Sequence, residues 1–85
     1  MKKILMFTAP WCNPCKNMKP LVEQECREAG IELEYVDIES QIDIARMHGV
    51  RSVPTMMVFD GKFAKDMATG EMSMSALKDF IQKHK

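Results

Sequence analysis

The sequence predicts an α/β fold in which a four-stranded mixed sheet is flanked by three helices. Short apolar runs of strand length alternate with longer segments whose apolar residues recur at helical spacing. An Asp-Gly pair separates the last two strand-like runs, which is a strong hairpin signal. The element order is therefore β-α-β-α-β-β-α, and its first β-α-β unit is expected to have parallel strands and a right-handed crossover.

The first half of the chain accounts for two strands and the longest helix. The apolar run KILMFT, residues 3–8, suits a strand that is buried on both faces. Residues 12–29 are typical of a helix, and Gly30 is placed to end it. The apolar face of that helix consists of Met18, Val22, Cys26 and Ala29. The segment IELEYVDI, residues 31–38, alternates apolar and charged residues, which indicates a strand with one partly exposed face.

The second half adds a short helix, a hairpin and a last helix. Ser40 is expected to cap the short helix. Residues 55–69 are predicted to form two strands that turn at Asp60-Gly61. Ser73 is expected to cap the last helix. The inward residues of that helix are Leu77, Phe80 and Ile81.

Size and charge exclude several classes of protein. The 85 residues are enough for one domain, covering residues 1–85. Twelve basic and twelve acidic residues give a formal net charge of zero and form no basic stripe, so nucleic acid is not an expected partner. No apolar stretch approaches membrane-spanning length, and the apolar run at the N-terminus is too short for a secretion signal. The chain is therefore expected to work in the cytoplasm, away from membranes.

Two of the three cysteines, Cys12 and Cys15, stand close together in the stretch APWCNPCKNMKP. In a reducing compartment, such a pair near a β-α-β pattern indicates redox or metal chemistry. A purely structural disulfide would close a very small loop and remove little chain entropy. A zinc site would need two more ligands, for which Cys26, His48 and His84 are the candidates. Redox chemistry is the favoured interpretation, and no metal is expected.

Cys12 is expected at the N-terminus of the first helix, where unpaired N–H groups and the helix dipole favour negative charge. Lowering a thiol pKa from about 8.5 to about 7 raises its thiolate fraction at neutral pH from a few per cent to roughly half. Only a thiolate attacks a disulfide, so Cys12 is the expected nucleophile. Cys15, adjacent on the helix and better shielded, is the expected resolving thiol. Pro14 stiffens the first turn, and Lys16 either assists Cys12 or is simply solvated.

These motifs resemble the thioredoxin family. The resemblance is carried by PWCNPCK, by Pro20 further along the helix and by VRSVPT before the third strand. It covers nearly the whole chain, whose element order is similar to the thioredoxin fold in its minimal, glutaredoxin-sized form. The leading β-α unit of full-length thioredoxins is missing. Met6 and Tyr35 stand where thioredoxins usually carry a buried aspartate and a lysine, so the usual proton shuttle lacks both side chains.

The resemblance also implies a substrate-binding surface. Val53-Pro54 would be a cis peptide bond packed against the cysteines, leaving the Val53 backbone free to pair with an extended substrate. Trp11 and Gly70 would complete the surface. For Trp11 the alternative is core packing, and for Pro54 an ordinary trans proline at a strand start. Asn13 replaces the usual glycine between the cysteines, which is expected to change the redox potential.

The function implied by the resemblance is that of a small thiol–disulfide oxidoreductase that reduces protein disulfides. No cofactor would be bound, because the Cys12–Cys15 disulfide is itself the redox group. A thioredoxin reductase-type flavoprotein drawing on NADPH, or glutathione, would restore the dithiol, and a monomer is expected. Two alternatives stay open, namely a glutaredoxin-type glutathione-dependent reductase and a module that binds a metal or an iron–sulfur cluster.

Overall fold

The computed structural model describes residues 1–85 and contains the elements in the predicted order. The strands are β1 (Lys2–Thr8), β2 (Glu32–Asp37), β3 (Thr55–Asp60) and β4 (Phe63–Thr69), and the helices are α1 (Asn13–Ala29), α2 (Ile42–Met47) and α3 (Met74–Gln82). The sheet order is β2-β1-β3-β4, with β2 parallel to β1 and the other neighbours antiparallel. The predicted four-stranded mixed sheet is confirmed. None of the three helices combines the length and the apolar character needed to cross a membrane.

The helices divide the core between the two faces of the sheet. On one face, Ile4 and Met6 of β1 belong to the larger apolar cluster, which also contains buried residues of α1 and α3. On the other face, Leu5 and Phe7 belong to a smaller cluster that includes Ala45 of α2. β1 is buried on both faces, as its continuous apolar run predicts. It also lies between β2 and β3 in the sheet. The loop that follows β1 therefore emerges between neighbouring strands.

Two glycines mark chain reversals that the sequence predicts. Gly30 ends α1 with a φ of 71°, in the left-handed region. Gly61 has a φ of 61° and is the first residue of the two-residue loop between β3 and β4. Residues other than glycine are strained at such φ values, and hairpins of this length favour them. The hairpin turn at Asp60-Gly61 is therefore confirmed.

The two predicted serine caps have different outcomes. Ser73 caps α3, because its Oγ accepts the N–H of Ala76 at 3.1 Å. Ser40 does not cap α2, whose N-cap residue makes no side-chain hydrogen bond. The carboxylate of Asp37 instead accepts the N–H groups of Glu39 and Ser40 in the preceding turn, at 2.8 and 3.3 Å. The prediction for Ser40 was wrong because a charged acceptor at the end of β2 orders this turn.

Asp66 of β4 is tied to the end of α3 by two basic groups. Its carboxylate lies 2.9 Å from Nε2 of His84 and 3.0 Å from Nζ of Lys83. The hydrogen bond with His84, followed by that from Lys83, lowers the pKa of Asp66 to about 2. These contacts join the edge strand β4 to the C-terminal residues.

We expect Ser73→Ala to lower the free energy of unfolding by about 1 kcal/mol, because the substitution removes the acceptor that caps α3. Ser75→Ala is the matched control, since Ser75 is exposed on the same helix. It should change the free energy by at most about 0.5 kcal/mol. Urea unfolding followed by circular dichroism measures both values. Equal losses in the two variants would contradict the capping role of Ser73.

The lowered pKa of Asp66 predicts a pH-dependent contribution to stability. A carboxyl whose pKa falls on folding stabilises the protein above its ordinary pKa of 3.8, and this contribution fades as the pH falls toward about 2. Asp66→Asn should therefore cost roughly 1–2 kcal/mol at neutral pH and much less near pH 2. Urea unfolding at both pH values measures this difference, and Asp79→Asn on the exposed face of α3 is the control. A cost that did not vary with pH would refute the assignment.

Candidate active site

Several chain segments meet at the end of the sheet where β1 stops. The pairing of β1 with β3 ends at Phe7 and Thr55, so Pro54 lies immediately before β3 at this end of the sheet. The Gly70 N–H, just after β4, donates to the Pro54 carbonyl at 2.8 Å, and the Ile38 N–H, just after β2, donates to the Thr8 carbonyl at 2.9 Å. The loop of residues 9–12 leaves β1 at this end. The site residues predicted from the sequence therefore lie in one region of the structure, although they belong to separate segments of the chain.

Cys12 and Cys15 are joined by a disulfide bond at the N-terminus of α1, with their Cα atoms 5.3 Å apart. Cys12 is the N-cap residue, and its Sγ accepts the N–H of Cys15 at 3.2 Å. Pro14 lies in the first turn, as predicted. Both cysteines are buried, with 3% and 1% of their surface exposed, so the expected difference in shielding is small. The sulfur of Cys12 thus faces a backbone donor at the positive end of a helix.

The peptide bond between Val53 and Pro54 is cis, so the alternative of an ordinary trans proline is excluded. Pro54 is buried, and Val53 is partly buried against both apolar clusters. The N–H and C=O of Val53 form no hydrogen bond within the chain. A free donor and acceptor on one residue can pair with an extended segment of another molecule.

Trp11 stands next to Cys12 in the chain with 62% of its surface exposed, which excludes core packing. Its indole N–H donates to the carboxylate of Glu39, with Nε1 and Oε2 2.7 Å apart. Sequence reasoning did not single out Glu39. A signal was available, because parallel strands end side by side, and Glu39 comes shortly after β2 as Trp11 comes shortly after β1.

The remaining predicted site residues lie around the disulfide with fewer contacts. Gly70 has a φ of 96°, a conformation that favours glycine. Asn13 and Lys16 are exposed, and neither side chain forms a hydrogen bond or an ion pair. For Lys16, this geometry favours a solvated helix residue over a partner of Cys12.

Met6 and Tyr35, the two residues that depart from the thioredoxin pattern, do not provide an acid or a base beside the disulfide. Met6 is fully buried in the same apolar cluster as the cysteines. Tyr35 lies on the α1 side of β2, where its hydroxyl donates to Glu23 and Lys19 Nζ lies 4.8 Å from its ring centroid. Burial, reinforced by the Glu23 contact, raises the pKa of Tyr35, so the phenol stays protonated. Burial also raises the pKa of Cys26 to about 11, which is typical of an unreactive core thiol.

The two histidines considered as metal ligands have other neighbours. The His48 ring lies edge-on to Phe7 and Phe59, with centroid distances of 6.1 and 5.3 Å. His84 is bonded to Asp66. Nowhere do three or more His, Cys, Asp or Glu side chains come together in a group that could hold a metal ion. The metal-site alternative therefore finds no ligand set around the cysteine pair.

Fold and site together define a thiol–disulfide exchange protein built on a four-stranded mixed sheet. The family model for thioredoxin matches residues 1–83. Thioredoxin 1 of Nostoc sp. and the thioredoxin of Bacillus subtilis are each 34% identical to this chain over 80 residues, covering 92% of it and 75% and 77% of their own lengths. The crystal structure of Fasciola hepatica thioredoxin matches with a TM-score of 0.89 at 28% identity, covering 99% of this chain and 81% of that one.

The chain belongs to the thioredoxin family. Its fold is the thioredoxin fold, and it is a thiol–disulfide oxidoreductase. The resemblance of the sequence motifs to this family is thus confirmed over nearly the whole chain. Members of the family act on disulfide substrates.

Trp11 is the only tryptophan, so its fluorescence reports on the contact with Glu39. We expect Glu39→Ala to release the indole, which should lower its fluorescence anisotropy and shift its emission to longer wavelength. Glu39→Gln keeps an oxygen acceptor and should retain most of the wild-type signal. Glu28→Ala, at an exposed position of α1, controls for the loss of one carboxylate. A wild-type signal from Glu39→Ala would contradict a positioning role for Glu39.

Proposed function

We propose that the protein reduces disulfide bonds in other proteins, with Cys12 as the nucleophile and Cys15 as the resolving thiol. The observation that carries this assignment is the hydrogen bond from the Cys15 N–H to the Sγ of Cys12 at the start of α1. A donor aimed at one sulfur stabilises negative charge on that atom, and the helix N-terminus adds to the effect. The two cysteines therefore have unequal roles although both are buried.

The reaction begins with the dithiol form. The thiolate of Cys12 attacks one sulfur of the substrate disulfide, forming a mixed disulfide and releasing the other substrate sulfur as a thiolate, which takes up a proton. Cys15 then loses its proton, and its thiolate attacks Sγ of Cys12. That proton passes to the departing substrate sulfur, and the Cys12–Cys15 disulfide forms. The substrate gains two electrons and two protons, and the protein loses them.

The proposed docking surface supports an extended protein substrate. The backbone N–H and C=O of Val53 would pair with the substrate chain as in a short added strand. Trp11 offers an exposed apolar ring on one side. Pro54 and Gly70, joined by a backbone hydrogen bond, would form the floor of the surface. Asn13 borders the sulfurs and is proposed to help set their redox potential.

Turnover requires two electrons from a second protein or from glutathione. We assign this role first to a thioredoxin reductase-type flavoprotein, because the exposed Trp11 beside the disulfide suits contact with a protein surface. Glutathione is the second candidate donor. In this scheme the Cys12–Cys15 disulfide is the only redox group, no cofactor is bound, and the protein works as a monomer in the cytoplasm.

Serine variants of the three cysteines test the assigned roles. Cys12→Ser should reduce the rate of insulin disulfide reduction to that of the uncatalysed reaction, because no nucleophile remains. Cys15→Ser should accumulate a mixed disulfide through Cys12, which mass spectrometry of the non-reduced protein detects. Cys26→Ser is the matched control and should retain wild-type turnover, because Cys26 is buried away from the exchange. A mixed disulfide that formed through Cys15 in Cys12→Ser would reverse the assignment.

A further inference from the structure

The strand β2 forms one edge of the sheet, because β1 is its only neighbour. One side of its backbone therefore presents N–H and C=O groups that β1 does not use. Those of Asp37 are bonded to Gln41, and the outward groups before Asp37 can pair with another chain. The opposite edge, β4, is protected differently. Its pairing with β3 contains an irregularity at Val58/Phe59, whereas β2 pairs with β1 in continuous register. A regular edge accepts an added strand more readily than a bulged one.

A cavity of about 390 Å³ lies beside this edge, between α1 and β2. Its lining residues are Glu23, Cys26, Arg27, Ile31, Leu33 and Tyr35. Four of them are apolar or aromatic, and the two charged ones come from α1. Because no lining residue belongs to β1, β3 or α3, the cavity lies at the free side of β2 and not in the interior. Its volume is sufficient for an apolar side chain that reaches in from a neighbouring strand.

The charge of β2 restricts what can pair with it. The strand carries three carboxylates and no basic residue: Glu32, Glu34 and Asp37. Nζ of Lys3 in β1 lies 2.5 Å from a carboxylate oxygen of Glu34 and 3.8 Å from one of Glu32. One positive charge is therefore shared by two carboxylates, and this part of the edge keeps a net negative charge. A second copy paired through the same edge would set carboxylates against carboxylates, which is destabilising. The complementary occupant carries basic residues.

We propose that the β2 edge and the adjoining cavity bind an extended segment of a partner protein in which apolar residues alternate with lysine or arginine. The segment would add a fifth strand by hydrogen bonding to the outer backbone of β2. Successive side chains of a strand point to opposite faces. Its apolar side chains would therefore enter the cavity beside Leu33 and Tyr35, while its basic side chains meet Glu32 and Glu34 on the other face. The site shares no residue with the cysteine pair or its proposed docking surface.

A short peptide of alternating leucine and lysine is the probe, and amide NMR spectra of the oxidised protein give the readout. We expect the amide signals of residues 32–36 to shift on titration and the hydrogen exchange of their outward N–H groups to slow, while residues 63–69 of the other edge serve as an internal control. A peptide with proline at its central leucine cannot donate one backbone hydrogen bond and should bind about tenfold more weakly. A peptide with glutamate in place of lysine should not bind.

Two charge-reversal variants separate this site from general attraction to a basic peptide. Glu34→Lys should weaken binding of the leucine–lysine peptide about tenfold, because it removes an attraction and adds a repulsion at the edge. Glu71→Lys changes the net charge equally at an exposed loop position and should bind as the wild type does. Equal weakening in both variants, equal shifts at both sheet edges, or full binding of the proline peptide would overturn the proposal. Concentration-dependent protection of β2 without peptide would identify a second copy as the occupant and would overturn it as well.

Discussion

The hydrogen bond between the Cys15 N–H and Sγ of Cys12 depends on where α1 begins. A helix leaves its first N–H groups without partners inside the helix, and α1 starts immediately after Cys12. The position of that start is set by β1, which is buried on both faces, and by a bond from the Cys12 N–H to the Ala9 carbonyl at 3.1 Å. The tight connection fixes the sulfurs relative to the sheet. The chemistry of the site thus rests on a buried strand and the helix that follows it.

The surroundings of the disulfide are assembled by the ends of the other strands. Pro54 is held between β1 and the segment after β4, because the Gly70 N–H bonds to its carbonyl. The end of β2 contributes Glu39, which holds the indole of Trp11. These contacts join positions that are far apart in the chain, with a sequence separation of 28 between Trp11 and Glu39. A surface built in this way keeps its shape only while the strand register is maintained.

The sequence was most informative where a local rule governs the structure. The apolar run of β1, the Asp60-Gly61 turn and the Ser73 cap each follow from a few neighbouring residues, as does the pairing of Cys12 with Cys15. Ser40 does not cap α2, because the carboxylate of Asp37 at the end of β2 accepts the N–H groups of the preceding turn, and an alternating strand pattern does not reveal this second role. The contacts of Glu39 with Trp11 and of Asp66 with His84 escaped prediction. Their partners become neighbours only after the sheet has formed.

The buried position of Cys26 has a consequence for the fidelity of electron transfer. A protein with three thiols can close three different disulfides, and only one of these returns to the working cycle. With its pKa raised to about 11, the Cys26 thiol is almost entirely protonated at neutral pH, and the surrounding core keeps oxidants away from it. Thiol scrambling and over-oxidation are therefore suppressed at this position. In the proposed cycle each substrate exchanges one pair of electrons with Cys12 and Cys15, and Cys26 takes no part.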